Sequence, residues 1–282
     1  MKTLIFILTI SMIAMSCVNQ PKTEKSYSLV KAWSTDTLLR TPESACYDAE
    51  RDIIFVANIN SGPWDKDGNG FISKINKHGE ILELEWVTGL NAPKGMGVYD
   101  GKLYVADVDE LVIIDISNAE ITEKVLFEGA HSLNDLSVDA SGKVFISDSR
   151  DNIIYTWFEG EYEIWLNEGF EKSNGLLCEE DRLLLASSDF NAIDYETKEI
   201  TLINDSISSG DGIAAIGDGY YFVSEWPGEV FLIKPDNSIM SVLNTREAGI
   251  SSADIDYIKK DSLLLVPTFF TNTIEAYKLS VK

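Results

Sequence analysis

The sequence predicts an all-β fold, a six-bladed β-propeller with four strands in each blade. The first observation is a pair of short strands with alternating apolar residues, HSLNDLSVDASGKVFISD at 131–148, joined by a Ser-Gly turn. Weaker copies of this stretch begin near residues 42, 92, 173, 209 and 251, which makes six units. A period of roughly 40 residues with strand-type alternation is typical of propellers.

The remaining strands of each blade follow its copy, as NIIYTWFEG and EYEIWLNEG do in the third unit. The last copy has only three strands, and a spare strand, YSLVKAWS at 27–34, precedes the first. We therefore expect the N-terminal strand to complete the last blade, because a closed ring leaves no long edge of unpaired backbone groups. The propeller is expected to occupy residues 27–282 as one domain.

Residues 1–16 have the features of a lipoprotein-type signal peptide. Lys2 is followed by an uncharged run of 12 residues, 4–15, which is well short of the roughly 20 needed to span a bilayer as a helix. Cys17 resembles the lipid-attachment cysteine of bacterial lipoproteins, and the polar residues 17–26 would form a flexible tether. We expect a lipid-anchored protein of the bacterial cell envelope that faces the periplasm or the outer surface. The alternative is an ordinary secretory signal with an incidental cysteine.

The formal net charge is −23, from 46 acidic and 23 basic residues. Phosphate backbones would be repelled, so no nucleic-acid partner is expected. We expect a monomer that meets the membrane only through its N-terminal lipid. Cys46 and Cys178 fall on the innermost strands of opposite blades, so a disulfide between them is not expected.

The candidate functional residues are found where the units start. In a propeller, the start of the innermost strand and the end of the next strand share one face, so equivalent positions form a ring around one channel mouth. This ring is predicted to contain Glu43, Lys94, Asn134, Asn174, Asp211 and Asp254, with Asp135 beside Asn134. The second strands add Asn58, Asp107, Asp148 and Glu225 to the same face. Hard oxygen ligands that converge in this way favour a calcium-like cation. Turn chemistry is the alternative explanation for many of these residues.

The motifs PES, SLND, SNGLL and GDG resemble those of the regucalcin (senescence marker protein) and gluconolactonase family of calcium-dependent lactonases. The resemblance covers residues 42–267 and implies that Glu43, Asn174 and Asp211 bind one divalent cation. It further implies that Asn134 lies close to substrate and metal and that Asp211 is the catalytic base. The expected cation is Ca²⁺, with Zn²⁺ and Mn²⁺ as alternatives.

The expected function is therefore metal-dependent hydrolysis of a lactone or similar small ester. The expected contacts to this small-molecule substrate are Asn134, Lys94, His131, Trp64 and Glu225; for Lys94, a structural partnership with the carboxylates is the alternative. Ser132 stands where sugar-lactone members of the family carry an arginine, which leaves sugar-acid specificity open. The competing hypothesis is a non-catalytic propeller that binds a ligand or a protein and uses the cation only to stabilise its loops.

A second ion site is suggested by the insertion in the first blade, where Asp65, Asp67 and Asn69 follow the spacing of the start of a calcium-binding helix-loop-helix loop. Position twelve of that pattern is Asn76 rather than glutamate, so a complete site is not expected. With Trp64, the loop is instead expected to form one wall of a pocket.

Overall fold

The structure is a computed structural model that describes residues 25–282. The predicted signal peptide, Cys17 and most of the predicted tether lie outside the described residues. Within the described range, no helix has both the length and the apolar character needed to cross a membrane.

The chain forms six sheets of four antiparallel strands, which confirms the predicted six-bladed propeller. The strand β1 (Tyr27–Ser34) comes first. Blade 1 contains β2 (Pro42–Asp48), β3 (Ile53–Asn58), β4 (Gly70–Ile75) and β5 (Ile81–Leu90). Blade 2 contains β6 (Pro93–Tyr99), β7 (Lys102–Asp107), β8 (Glu110–Asp115) and β9 (Glu120–Leu126). Blade 3 contains β10 (Leu133–Val138), β11 (Val144–Asp148), β12 (Ile153–Phe158) and β13 (Glu161–Leu166).

The second half of the ring repeats this order. Blade 4 contains β14 (Leu176–Cys178), β15 (Arg182–Ala186), β16 (Phe190–Asp194) and β17 (Ile200–Asn204). Blade 5 contains β18 (Gly210–Gly217), β19 (Tyr220–Glu225), β20 (Glu229–Ile233) and β21 (Ile239–Asn244). Blade 6 contains β22 (Asp256–Ile258), β23 (Leu263–Pro267) and β24 (Ile274–Val281). Three short 3-10 helices lie in the loops of blades 5 and 6, at Arg246–Ala248, Lys259–Asp261 and Phe269–Thr271.

The ring closes as the sequence predicts. The strand β1 pairs antiparallel with β24, from Tyr27 opposite Val281 to Ser34 opposite Glu275, and becomes the outermost strand of blade 6. Both ends of the described chain are therefore held in one sheet, and this pairing joins the first strand to the last.

The apolar core lies between neighbouring blades. The middle strands are buried on both faces, as in β8, where Leu111 to Ile114 are all buried. Aromatic side chains fill the gaps between sheets; Phe127 of blade 2 stacks on Tyr162 of blade 3 with ring centroids 4.3 Å apart. Outermost strands such as β9 are largely exposed and carry charged side chains, which protects them from pairing with other chains.

The central channel, in contrast, contains acidic groups of the innermost strands among apolar ones. Asp135, Asp254 and Asp256 border a cavity along it, together with Cys46. Cys46 and Cys178 are both free, in agreement with the expectation that they form no disulfide with each other.

Candidate metal centre

Four of the six predicted mouth residues lie on irregularities of the innermost strands. In four blades the register with the second strand shifts at this point: between Pro42 and Ser44, Pro93 and Met96, Leu133 and Leu136, and Gly210 and Ile213. A β-bulge interrupts the alternation of side chains and redirects one of them. Glu43, Lys94, Asn134 and Asp211 therefore share one structural setting as well as one sequence phase.

Glu43 and Asp211 are almost completely buried, with 5% and 2% of their surface exposed. The Asn174 carboxamide Nδ2 donates a hydrogen bond of 3.0 Å to Asp211 Oδ1. Glu43 Oε2 is buried and has no hydrogen-bond partner among the described residues. Since a buried carboxylate oxygen without a partner is costly, this atom indicates a place where a donor or a cation belongs.

Glycine allows the blades to come close enough for this arrangement. A Cβ at Gly175 would lie 1.9 Å from the backbone oxygen of Asp211, and a Cβ at Gly212 would lie 2.3 Å from the backbone nitrogen of Ile255. The glycines that follow Asn174 and Asp211 thus permit the next innermost strand to pack directly against them.

The other two carboxylates of the predicted ring connect neighbouring blades. Ser44 Oγ donates to Asp254 Oδ2 at 2.6 Å, and the backbone N–H of Asp254 donates to Glu43 O at 3.0 Å. Asp135 accepts the backbone N–H of Leu176 of the next blade at 2.6 Å. The structure therefore assigns Asp254 and Asp135 a structural role at the seams between blades.

Acidic groups outnumber basic groups at this centre. Burial raises the pKa of Glu43, and the nearby Lys94 partly opposes this effect. Burial also raises the pKa of Asp211 well above its usual value, and the Glu43 and Asp254 charges add to the rise. Burial in turn lowers the pKa of Lys94, while the carboxylates of Glu43 and Asp211 act in the opposite direction. A positive ion between the carboxylates would relieve these effects.

Lys94 does not hydrogen-bond to the carboxylates in the described part of the chain. Its Nζ lies 4.3 Å from the centre of the Trp64 ring, in a cation–π contact. Trp64 belongs to the blade 1 insertion, so this contact attaches the predicted pocket wall to the mouth of the channel.

A cavity of about 570 Å³ adjoins this contact. Its lining consists of Trp64, Lys66, Val108, Asp109, Ala130, His131, Ser132, Ser149 and Arg150. Asn134 Nδ2 donates to Ser149 Oγ at 2.9 Å, which connects the bulge of blade 3 to the cavity. His131 is exposed, and its Nδ1 lies 2.5 Å from Asp151 Oδ2. The structure thus brings His131 and Trp64 together in one cavity, with Asn134 and Lys94 touching its walls.

The polar residues at the ends of the second strands share a different role. Each accepts a hydrogen bond from a backbone N–H at the entrance of its own blade; they are Asn58, Asp107, Asp148 and Glu225. Oε1 of Glu225 accepts the N–H of Ser208 at 2.6 Å, and Oε2 forms an ion pair with Arg246. Turn chemistry thus explains this set, and the structure does not direct Glu225 into the mouth.

The acidic loop of blade 1 also uses its side chains locally. Asp65 accepts the N–H of Gly62 at 3.1 Å, and Asp67 accepts the N–H of Asn69 at 3.2 Å. Throughout residues 25–282, no three His, Cys, Asp or Glu side chains converge closely enough to hold a metal by themselves. Any cation at Glu43 and Asp211 therefore depends on a further donor such as the Asn174 carboxamide.

Two aromatic residues of the same face were missed in the sequence. Phe269 and Phe270 follow β23 and pack edge to face with Trp226, with ring centroids 5.6 Å and 5.9 Å from the indole. Phe270 is 67% exposed, and Phe269 adopts a left-handed backbone conformation with φ of 52°. An aromatic residue in that conformation is strained. Only the sequence FF in a loop could have indicated this cluster.

The fold and the polar channel mouth define the protein as a six-bladed β-propeller. One family model, the LVIVD repeat, matches residues 94–124, which correspond to blade 2. No curated protein matches the chain.

Two solved structures share the fold. The first is a catalytically inactive histidine-to-alanine variant of virginiamycin B lyase from Staphylococcus aureus, solved with quinupristin; it is 13% identical with a TM-score of 0.62, over 90% of this chain and 99% of that one. The second is a protein inferred to be a gluconolactonase, which is 12% identical with a TM-score of 0.67, over 91% of this chain and 93% of the other. At these identities the likeness shows the propeller fold alone.

Proposed function

We propose that this protein is a metal-dependent hydrolase that opens a lactone or cleaves a similar small ester. The observation that carries the proposal is Glu43 Oε2, a buried carboxylate oxygen without a hydrogen-bond partner in the described chain, in a negatively charged centre with Asp211. Together with the Asn174 carboxamide, these groups form an all-oxygen donor set that suits Ca²⁺, with Zn²⁺ and Mn²⁺ as alternatives. The propeller neighbours include a lyase and an inferred gluconolactonase, which is consistent with an enzyme on this fold.

Each residue of the candidate site would have its own role in the reaction. When bound, the cation would polarise the substrate carbonyl and stabilise the developing negative charge on its oxygen. Asp211 would accept the proton of the attacking water, for which a carboxylate of raised pKa is suited. Asn174 holds Asp211 in place through its hydrogen bond, and Asn134, Trp64 and His131 would orient the substrate in the adjoining cavity.

The sequence of residues 1–26 also predicts the cellular setting of this activity. The protein would be exported, attached by lipid at Cys17, and positioned in the bacterial envelope as a monomer. Substrate would then reach the channel mouth from the periplasm or the exterior.

A second candidate function is a non-catalytic binding module in which the cation only stabilises the propeller. The observation that favours it is the burial of the donor set, because Glu43 and Asp211 expose 5% and 2% of their surface. A cation enclosed in this way could hold the inner strands together without meeting a substrate.

Asp211→Asn distinguishes the two functions, with Asp205→Asn, an exposed carboxylate of a blade 4 turn, as the matched control. Hydrolysis of a lactone panel is followed by pH-stat with Ca²⁺, Zn²⁺ and Mn²⁺, and metal binding is followed by calorimetry. Metal binding that survives while turnover falls at least 100-fold supports catalysis, because one general base contributes roughly that factor. A wild-type protein that binds calcium and turns over no lactone with any of the three metals supports the binding module.

A further inference from the structure

The cavity beside the mouth differs in charge from the rest of the molecule. The chain has a formal net charge of −23, but the cavity lining contains Lys66 and Arg150 and a single acid, Asp109. Lys66 Nζ lies 2.8 Å from Asp109 Oδ2, so those two charges offset each other. The positive charge of Arg150 remains, in a cavity whose wall also contacts the buried Lys94 through Trp64.

The two carboxylates within two residues of Arg150 in sequence already have hydrogen-bond partners. Asp148 accepts backbone N–H groups from Arg150 itself at 3.1 Å and from His131 at 2.8 Å. The other neighbour, Asp151, lies 2.5 Å from His131 Nδ1. Within residues 25–282 the Arg150 guanidinium forms no ion pair, so its five N–H donors are available to a ligand. Asp148 at the same time fixes the backbone from which Arg150 extends.

We propose that this cavity selects an anionic substrate and that Arg150 binds its negatively charged group. The inference rests on the proposed function and narrows its substrate class to a lactone or ester that carries a carboxylate or another oxyanion away from the reacting bond. The planar guanidinium matches the two oxygens of such a group. A positively lined cavity in an otherwise acidic protein would also concentrate anions at the mouth.

Trp64 supplies the second part of the recognition. Lys94 covers one side of the indole at 4.3 Å, and 38% of the residue remains exposed where it lines the cavity. A ring substrate could stack on this surface while its anionic group reaches Arg150. Hydrolysis would break the acyl C–O bond, with the hydroxyl of water added to the acyl carbon and a proton to the leaving oxygen; the products are an alcohol and a carboxylic acid that releases its proton to become a carboxylate, and the recognised anion would remain unchanged.

The test compares two lactones that differ by one carboxylate, γ-butyrolactone and γ-butyrolactone-γ-carboxylate, as well as 2-hydroxyglutarate, the open-chain product of the second. The variants are Arg150→Gln and Arg150→Lys, with Arg40→Gln as an exposed arginine that does not line the cavity. We expect Arg150→Gln to reduce the preference for the charged lactone, measured as the ratio of the two KM values, by about tenfold or more. Arg150→Lys should recover part of this preference, and Arg40→Gln should leave it unchanged.

Calorimetry with 2-hydroxyglutarate gives a readout that needs no turnover. Binding that Arg150→Gln weakens at least tenfold, in a protein that hydrolyses neither these two lactones nor any other member of the lactone panel with Ca²⁺, Zn²⁺ or Mn²⁺, would refute the proposed hydrolase and support the anion site. Hydrolysis of both lactones with a KM ratio that Arg150→Gln does not alter would leave the hydrolase standing and overturn the anion site. Absence of both turnover and 2-hydroxyglutarate binding would overturn both.

Discussion

Replacing Glu43 with glutamine tests whether a cation balances the buried carboxylates of the candidate metal centre. Without a divalent ion, Glu43 and Asp211 are desolvated charges that repel each other, and burial raises the pKa of both. Glu43→Gln removes one charge while it keeps almost the same shape. In EDTA at neutral pH the variant should therefore unfold at a higher temperature than the wild type.

Calcium should reverse this order. A ligand present at 100 times its Kd stabilises the folded state by about 2.7 kcal/mol. For a domain of roughly 250 residues this corresponds to a rise in Tm of roughly 5–10 °C, which Glu43→Gln should lose because the unpartnered carboxylate oxygen is gone. The measurement is a thermal melt by circular dichroism in EDTA and in CaCl₂. Glu163→Gln, on the exposed outermost strand β13, is the control and should respond to calcium like the wild type.

Two outcomes would contradict a cation site at Glu43. One is a wild-type Tm that calcium, zinc and manganese all leave unchanged. The other is an equal calcium shift in wild type and Glu43→Gln, which would place the bound ion elsewhere.

The remaining predictions concern pH, packing and the strand ends. Burial raises the pKa of Asp135 and Asp256 in the folded state. Their contribution to stability is therefore complete below the unfolded pKa of about 4 and is lost as the pH rises through the folded pKa. The Tm in EDTA should fall from mildly acidic to neutral pH, and a Tm that does not change with pH would contradict this prediction. Gly175→Ala places a Cβ 1.9 Å from a backbone oxygen and should lower the free energy of unfolding, measured in urea, by more than 2 kcal/mol. The control is Gly89→Ala, whose Cβ meets no atom within 4 Å; it should lower this free energy by about 1 kcal/mol because Gly89 has a positive φ. Glu225→Gln should lower the free energy of unfolding by about 1–2 kcal/mol in the same assay, because the ion pair with Arg246 is lost, and should leave the calcium affinity unchanged. A large loss of calcium affinity would show that Glu225 belongs to the metal site.

The sequence was sufficient for the architecture because propeller blades are local. Each blade is built from consecutive strands, so alternation and spacing near 40 residues specify the number of units without knowledge of distant contacts. The pairing of β1 with β24 was also predictable, since a three-stranded last copy and a spare first strand leave one economical arrangement. The phase of the repeat even placed Glu43 and Asp211 at equivalent bulges.

The position of a residue within the repeat does not show which polar atoms already have hydrogen-bond partners. Asp148 and Asp211 both lie at strand ends on the same face, yet Asp148 is held by backbone N–H groups of its own blade, while Asp211 contacts the carboxamide of Asn174 in the preceding blade. Arg150 lies in the segment SDSRDN, which contains no recognisable motif. It lines a cavity only together with residues such as Trp64, which is 86 residues earlier in the chain.

The ring, its closure and the common phase of Glu43 and Asp211 can thus be derived from the order of the amino acids. The contacts made in the folded protein distinguish the Glu43 carboxylate oxygen, which has no partner among the described residues, from the carboxylates that accept hydrogen bonds at the blade entrances and seams. This difference arises because strand alternation is encoded by neighbouring residues, whereas the solvation and hydrogen bonding of a buried charge depend on groups that folding brings from other blades.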